Sequence, residues 1–408
     1  MTDIAIIGGG VIGLSTALYL ADSGYNVTIY EKDRVGSQAS TKNAGLIVPS
    51  MYNPYPLSID IYGVLRLIAS SRSPVKISLR GLGCKPILEI LKARRRLAKA
   101  DWRILRRMGS QAIAAVEKLV SRLNIDIEYR RGDILELYID EKYLDNAKEY
   151  AREVRIDGLD VKELEYNEIR ELEPSITEEV IGGLRYVSDA SIDPVKYVEG
   201  LNQLARDMDI KIYENEPINE IHLDESRIGI IRNGRLSNYD WVILAAGPWT
   251  PSLTHKLGIN IPSYPAKGYI VEYTPGINVT HQLMLEEIKV VVNPYRDRLR
   301  LAGIMDFVGF RDEIPTNRLF KLIGMVKRYL GDLEISSPIK VDYAYRPCTP
   351  DEIPLIGPLP KYRNLIIATG HCRFGLTFSG LTALIVKDYI ETGRMKPEYQ
   401  IFNPVRIL

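Results

Sequence analysis

Apolar residues run unbroken through positions 4–7 and then recur at helical spacing over 11–22, with a cluster of glycines between. The unbroken run predicts a short strand covered on both faces, and the 3.6-residue recurrence predicts a helix. A second strand is predicted over 26–30, ending at Glu31. Further along, Asp193 followed by Pro194 marks a helix start, because Asp caps and Pro needs no hydrogen-bond partner at the first helical position. That helix should reach Met208 and be followed by a strand over 211–213. Buried strands are predicted over 241–247 and 364–368, each running into a glycine turn, and a last helix over 379–392. A different pattern holds at 132–138, where apolar and polar residues alternate, and strands are also expected over 268–273 and 299–303. Alternation suits an antiparallel sheet with one face on a core.

These elements divide the chain into two interleaved domains. Segments 1–50, 190–258 and 345–408 read as one nucleotide-binding domain, and segments 51–189 and 259–344 read as a substrate-binding lid built on one antiparallel sheet. There are no internal repeats and no low-complexity segments.

The turn between the first strand and the first helix carries the chemistry. Gly8, Gly10 and Gly13 complete a G-x-G-x-x-G: the first permits a tight turn, the second lets a pyrophosphate approach the backbone, and the third lets helix pack on strand. The helix N-terminus then offers unpaired N–H groups and the positive end of its dipole. Glu31, eighteen residues beyond Gly13, stands where a carboxylate accepts hydrogen bonds from a ribose 2′-OH. It would repel a 2′-phosphate, which disfavours NADP and leaves NAD or FAD.

Composition narrows the class of protein. With 408 residues, 46% hydrophobic and a net charge of +1, the chain is an ordinary globular protein, without the basic field that nucleic acid requires. No 18-residue apolar run is present, and the first strand begins too early for a signal peptide, so a cytoplasmic location is expected. Three cysteines (Cys84, Cys348, Cys372) are too few and too scattered for a disulfide framework or a zinc site, and four dispersed histidines argue against a metal. Plentiful Ile, Tyr, Lys, Arg and Glu with scarce Gln suit a thermophile. Residues 88–107 interleave Arg94, Arg95, Arg96, Arg103, Arg106 and Arg107 with apolar positions. The plain reading is a solvated amphipathic helix on the lid. The sharper one is a membrane-surface helix on the inner face of the membrane, or a contact with a second subunit in a homo- or hetero-oligomer.

Three further stretches favour a flavin over a nicotinamide: a small-residue loop at 40–46, the strand end at 245–249, and the return of residues 346–357 before a glycine-rich loop at 368–378. A nicotinamide domain has no need of that return, whereas a long flavin does. On these stretches the chain resembles, from end to end, the D-amino-acid-oxidase superfamily of FAD enzymes. The likeness rests on the 6–13 turn, Asn43 to Gly45, Asp189 to Pro194, Ala245 to Trp249, Arg346 to Asp351, and Gly370 with Gly375 to Thr377. Within the superfamily it is most similar to D-amino-acid dehydrogenases, glycine oxidases and archaeal dye-linked proline dehydrogenases. The resemblance implies a Rossmann-like FAD-binding domain of the glutathione-reductase type interleaved with an antiparallel-sheet substrate domain, that is, α/β joined to α+β.

It also implies roles. Gly8, Gly10, Val11, Ile12 and Gly13 would hold the pyrophosphate, Glu31 the adenosine ribose, with Lys32 and Ile218 at the adenine. Ser40, Asn43, Ala44, Gly45 and Leu46 would lie along the ribityl chain and ring, while Ala246, Gly247 and Trp249 close the cofactor domain. Gly370, Arg373, Gly375, Leu376 and Thr377 would approach the pyrimidine side, where N–H groups stabilise a reduced ring. Arg346 aligns with the arginine that grips the substrate carboxylate in glycine oxidases, a task suited to a planar guanidinium; the plain alternative is an arginine that pins a loop. His371 is expected to be structural.

Two departures from the family pattern matter. The cysteine that attaches FAD covalently in some relatives is replaced here by Ala344, and Cys348 comes too late, so FAD should be non-covalent. The tyrosine that lines the pocket in glycine oxidases is absent from the run 290–294, leaving Tyr52, Tyr55 and Tyr295 as substitutes. The chemistry implied is hydride transfer from the α-carbon of a small amino or imino acid, proline or a D-amino acid first, to flavin N5. Electrons would pass to a quinone, dye or carrier. An oxygen-using sarcosine or glycine oxidase, a 2-hydroxy-acid dehydrogenase and a non-catalytic flavin subunit are the alternatives.

Overall fold

Strand Asp3–Ile7 is the centre of a six-stranded sheet in a computed structural model that describes residues 2–58, 73–78, 83, 85–223, 227–275, 278–331 and 337–408. Across that sheet the order is Lys211–Tyr213, Asn26–Tyr30, Asp3–Ile7, Trp241–Leu244, Tyr362–Thr369 and Leu355–Leu359. The first five run parallel and the last returns antiparallel to its neighbour. Alternate side chains go to opposite faces. Ile4 and Ile6 face the helices, with Ile29, Ile243 and Ile366 in the same core, while Ala5 and Ile7 join Val242, Leu244 and Ile367 on the other side. That second side is covered by an antiparallel meander (Glu220–Leu223, Ile228–Arg232, Arg235–Tyr239) and the short helix Thr250–His255.

The helices on the first face are positioned as the sequence suggests. Helix Val11–Ala21 is buried nearly all round, Ser15 and Thr16 included, because it lies between the sheet and helix Gly375–Thr392. Helix Pro194–Asp207 starts where expected, with the Asp193 carboxylate accepting from the N–H of Val195 and Lys196. Helix Gly375–Thr392 begins four residues before the predicted start, at a glycine that the apolar periodicity could not mark.

The lid is a nine-stranded sheet in which strand Tyr264–Tyr273 pairs antiparallel with both Leu299–Phe307 and Lys340–Cys348. It is mixed rather than purely antiparallel, since Gln282–Leu285 runs parallel to Ile134–Tyr138. Strand Lys340–Cys348 carries Arg346 and pairs within this sheet, so residues 345–348, which the sequence reading gave to the nucleotide-binding segment, extend the lid sheet. A 9-residue strand pairs along its whole length and does not stop at a motif.

The basic stretch is less solvated than the pattern implied. Helix Lys85–Leu97 exposes Leu88, Arg95 and Arg96, but Arg106 is fully buried, 2.7 Å from Asp157 and between the rings of Trp102 and Tyr150. Arg103 pairs with Glu153 at 2.9 Å. These acids lie on or beside helix Glu141–Ile156, some fifty residues away, and local reading could not supply them. Among the described residues no helix is long and apolar enough to cross a membrane.

Candidate active site

The glycine turn is held by backbone contact that leaves no room for a side chain. A Cβ on Gly13 would stand 1.9 Å from the Gly8 carbonyl oxygen, and one on Gly8, at φ +115°, 2.4 Å from that of Ala245. Gly10 has no side chain to cap the helix, and, apart from Val11 N–H, which donates to Ser40 Oγ, its first turn opens on a cavity of about 500 Å³. Helix Gly375–Thr392 is likewise without a side-chain cap at Phe374 and opens on the same cavity. Two helix N-termini converging on one space favour negative charge there, as a pyrophosphate or a reduced flavin carries.

Gly8, Gly10, Val11, Ile12, Glu31 and Lys32 all line this cavity. The Glu31 carboxylate accepts from the N–H of Gly9 (2.7 Å) and of Asp33 (2.9 Å), and each oxygen keeps a lone pair for a ribose hydroxyl. Ser40 accepts from Val11 N–H at 2.9 Å and lines the wall with Asn43, Ala44 and Leu46. Asn43 shapes that loop, donating to the Ala39 and Ser40 carbonyls and accepting from Gly45 N–H at 2.7 Å. Ser37 Oγ is buried there with no partner among the described residues, a hydroxyl that a ligand oxygen can satisfy. Ile218, Ala246, Gly247 and Trp249 close the far end, with Lys32 Nζ 4.2 Å from the centre of the Trp249 ring. The donor set, the uncapped helix ends and the clearance at the glycines fit a dinucleotide, FAD included.

Arg346 lines the same cavity from the lid side. Its guanidinium lies across Gly268 on the adjoining strand, where an added Cβ would come within 2.7 Å of it. Arg373 lines the cavity as well and pairs with Glu352 at 3.3 Å. His371 is buried, its Nε2 is 2.8 Å from Thr382 Oγ1, and burial pushes its imidazole down to about 3. It is held neutral, and it also lines the cavity.

Several sequence candidates lie elsewhere. Gly13, Gly45, Gly370 and Thr377 do not line the cavity but shape its walls; Thr377 Oγ1 accepts from Val48 N–H at 3.0 Å. Tyr52 is fully buried against Phe374 and Phe378, with its hydroxyl donating to the Glu352 carbonyl at 3.2 Å. Tyr295 is buried beneath Arg298, donating to the Ile192 carbonyl at 3.1 Å. Both are packing residues, and neither lines the pocket. Tyr55 begins the short helix Tyr55–Ser58, and its side chain lies outside the described residues. Two other tyrosines line the cavity: Tyr30, at the end of strand Asn26–Tyr30, and Tyr345, next to Arg346 on a paired strand.

Sequence spacing also concealed a covalent link. Cys348 and Cys372 form a disulfide, both buried, joining the strand of Arg346 to the loop of Arg373. They are neighbours because the strand end bridges to His371, a long-range pairing. Cys84 lies outside the described residues. With 24 residues of separation, loss of the link in a Cys348→Ser/Cys372→Ser variant should cost about 3 kcal/mol. Urea unfolding of the two forms measures this, and equal midpoints would contradict it. Thiol titration of the denatured, unreduced chain should find one thiol, rising to three on reduction.

The fold and cavity are those of a dinucleotide-dependent oxidoreductase, with Arg346 of the lid sheet in the wall of the cavity that the glycine turn also lines. The chain belongs to the FAD dependent oxidoreductase family, whose family model matches residues 3–389. It is 28% identical over 419 residues to a D-amino acid dehydrogenase of Vibrio cholerae, covering 96% of each chain. A D-amino acid dehydrogenase of Dechloromonas aromatica is also 28% identical, over 97% of this chain and 98% of its own. Glycine oxidase from Geobacillus kaustophilus has a similar structure, with a TM-score of 0.78 at 24% identity over 100% and 99% of the two chains. So does L-proline dehydrogenase from P. horikoshii, at 0.77 and 18% over 99% and 97%.

Proposed function

We propose that this enzyme oxidises a small amino or imino acid, proline or a D-amino acid, and passes the electrons to a quinone, dye or carrier. The observation that carries the reading is Arg346, laid over Gly268 in the cavity that the glycine turn also lines. A guanidinium held flat by a strand grips a carboxylate through two parallel hydrogen bonds and so fixes the α-carbon. FAD, when bound, supplies a two-electron acceptor for the hydride leaving that carbon. The protein's part is then positioning, exclusion of water by the lid sheet, and the convergent helix ends that stabilise negative charge. Both curated relatives cited above are named for D-amino acids, which supports the substrate class. FAD is taken to be non-covalent, because Cys348 and Cys372 are bound to each other and Ala344 replaces the attachment cysteine.

Anaerobic mixing of the FAD-loaded enzyme with a panel of D- and L-amino acids should bleach the flavin's visible absorbance with an amino or imino acid. Bleaching by lactate or 2-hydroxyglutarate alone would replace this reading with hydroxy-acid oxidation, and no bleaching would point to a non-catalytic flavin subunit. Stoichiometric hydrogen peroxide at full rate in air would overturn the choice of acceptor.

A further inference from the structure

Two residues with left-handed backbone, neither of them glycine, meet in the cavity wall: Lys289 at φ +53° and Ile304 at φ +57°. They lie where strand Val290–Pro294 begins its pairing with Leu299–Phe307. Gly303 admits the Lys289 carbonyl there, since a Cβ would stand 2.3 Å from it. A positive φ is unusual for a β-branched residue and persists only where the surroundings impose it, most often at functional sites. The Lys289 side chain is one-third exposed, and it lines the cavity together with Arg346 and Arg373.

We propose that Lys289 is the catalytic base that takes the proton from the substrate's ammonium group, leaving the neutral amine from which hydride can depart. This rests on the amine-oxidising reading above. Free amino acids reach an enzyme as zwitterions, and a protonated nitrogen has no electron pair to drive hydride from the neighbouring carbon. In the step, one substrate N–H bond breaks, its proton forms a bond to Lys289 Nζ, and the electron pair stays on the substrate nitrogen. Nothing is oxidised or reduced until the hydride leaves.

The surroundings suit that task. Burial pulls the Lys289 ammonium down to about 8; the Glu136 carboxyl acts against this and Arg373 acts with it. Glu136, on strand Ile134–Tyr138, is itself buried and pushed up by burial, which weakens its hold on the lysine's charge. Glu286, on the same turn as Lys289, is ion-paired with its Nζ, so it acts with Glu136 against the pull of burial and holds the proton once it is taken up. Glu287 is turned away, accepting from the N–H of Ile139 and Asp140 and from the Tyr329 hydroxyl. Arg346, on strand Lys340–Cys348 of the same sheet, would hold the carboxylate.

The test follows the rate of anaerobic flavin bleaching at saturating amino acid from about pH 6 to about pH 11 in wild type, Lys289→Gln and Lys289→Arg. The wild-type rate should rise with a midpoint near 8. Both variants should be slower on the order of 100-fold near neutral pH and recover as the solution pH deprotonates the substrate's own amine. A Lys289→Gln profile superimposable on wild type would overturn the proposal. So would full activity in Lys289→Arg, which would assign the residue a charge rather than a proton. Independently of turnover, brief acylation of the wild type near pH 8, read by peptide mass spectrometry, should modify Lys289 ahead of ordinary exposed lysines and less so with a bound carboxylate ligand. Failure to label it preferentially would also count against it. Absence of bleaching in wild type at every pH removes the amine-oxidising reading, and the labelling result then decides separately whether Lys289 is a low-pKa lysine.

Discussion

Gly13→Val should yield a chain that no longer retains FAD. The new Cβ would fall 1.9 Å from the Gly8 carbonyl oxygen and 3.1 Å from its carbon, backbone that cannot swing aside as a side chain can. The helix start must move away from strand Asp3–Ile7, and the N–H groups that face the pyrophosphate move with it. Losing two charge-assisted hydrogen bonds at about 1.5–3 kcal/mol each amounts to a weakening on the order of 100-fold or more. Overpacking adds its own destabilisation of about 1–3 kcal/mol. Titration of the apoprotein with FAD, followed by flavin fluorescence, measures the first effect and thermal unfolding the second. A yellow variant with wild-type affinity would show that the turn does not hold the cofactor.

Arg346→Ala should leave FAD in place and raise the substrate concentration needed for half-maximal bleaching. Truncating a cation that grips a desolvated carboxylate costs about 2–5 kcal/mol, or roughly 30- to 4,000-fold in affinity. Arg346→Lys should restore only part of this, because an ammonium cannot make the paired hydrogen bonds of a guanidinium. Gly268→Ala offers a gentler probe, since its methyl group would meet the guanidinium within 2.7 Å and displace it without removing the charge. An unchanged half-saturation in Arg346→Ala would remove this residue from the site.

How much of this could be read from the chain differs by region. The nucleotide half was legible because its determinants are local: three glycines, a following helix, an acid at the end of the next strand. The strand at 211–213 and the Asp193 cap were read correctly for the same reason. On the lid side, the sequence picked out Arg346 through family likeness, and the structure brings it to the cavity. Tyr52 and Tyr295 were candidates because tyrosines resemble one another in sequence; only tertiary packing separates a core ring from a pocket ring. Lys289 gave no signal, since its position depends on a backbone bend created by pairing with a strand that follows it. Arg106 looked like part of a solvated face because the acids that bury it lie on another helix.

The interleaving of the two large sheets along the chain has a consequence for biosynthesis. A ribosome delivers strands Asp3–Ile7 and Asn26–Tyr30 first, but Trp241–Leu244, the central strand's other neighbour, emerges more than two hundred residues later. Helix Gly375–Thr392, which covers Val11–Ala21 and closes the cavity, emerges later still. Until then the first helix has only the part of its cover that strand Asn26–Tyr30 and helix Pro194–Asp207 supply, and the nascent chain must remain soluble with its nucleotide turn half built. Cofactor capture is therefore a late event in the life of each molecule, and the cell's flavin supply meets a nearly finished protein rather than an emerging one.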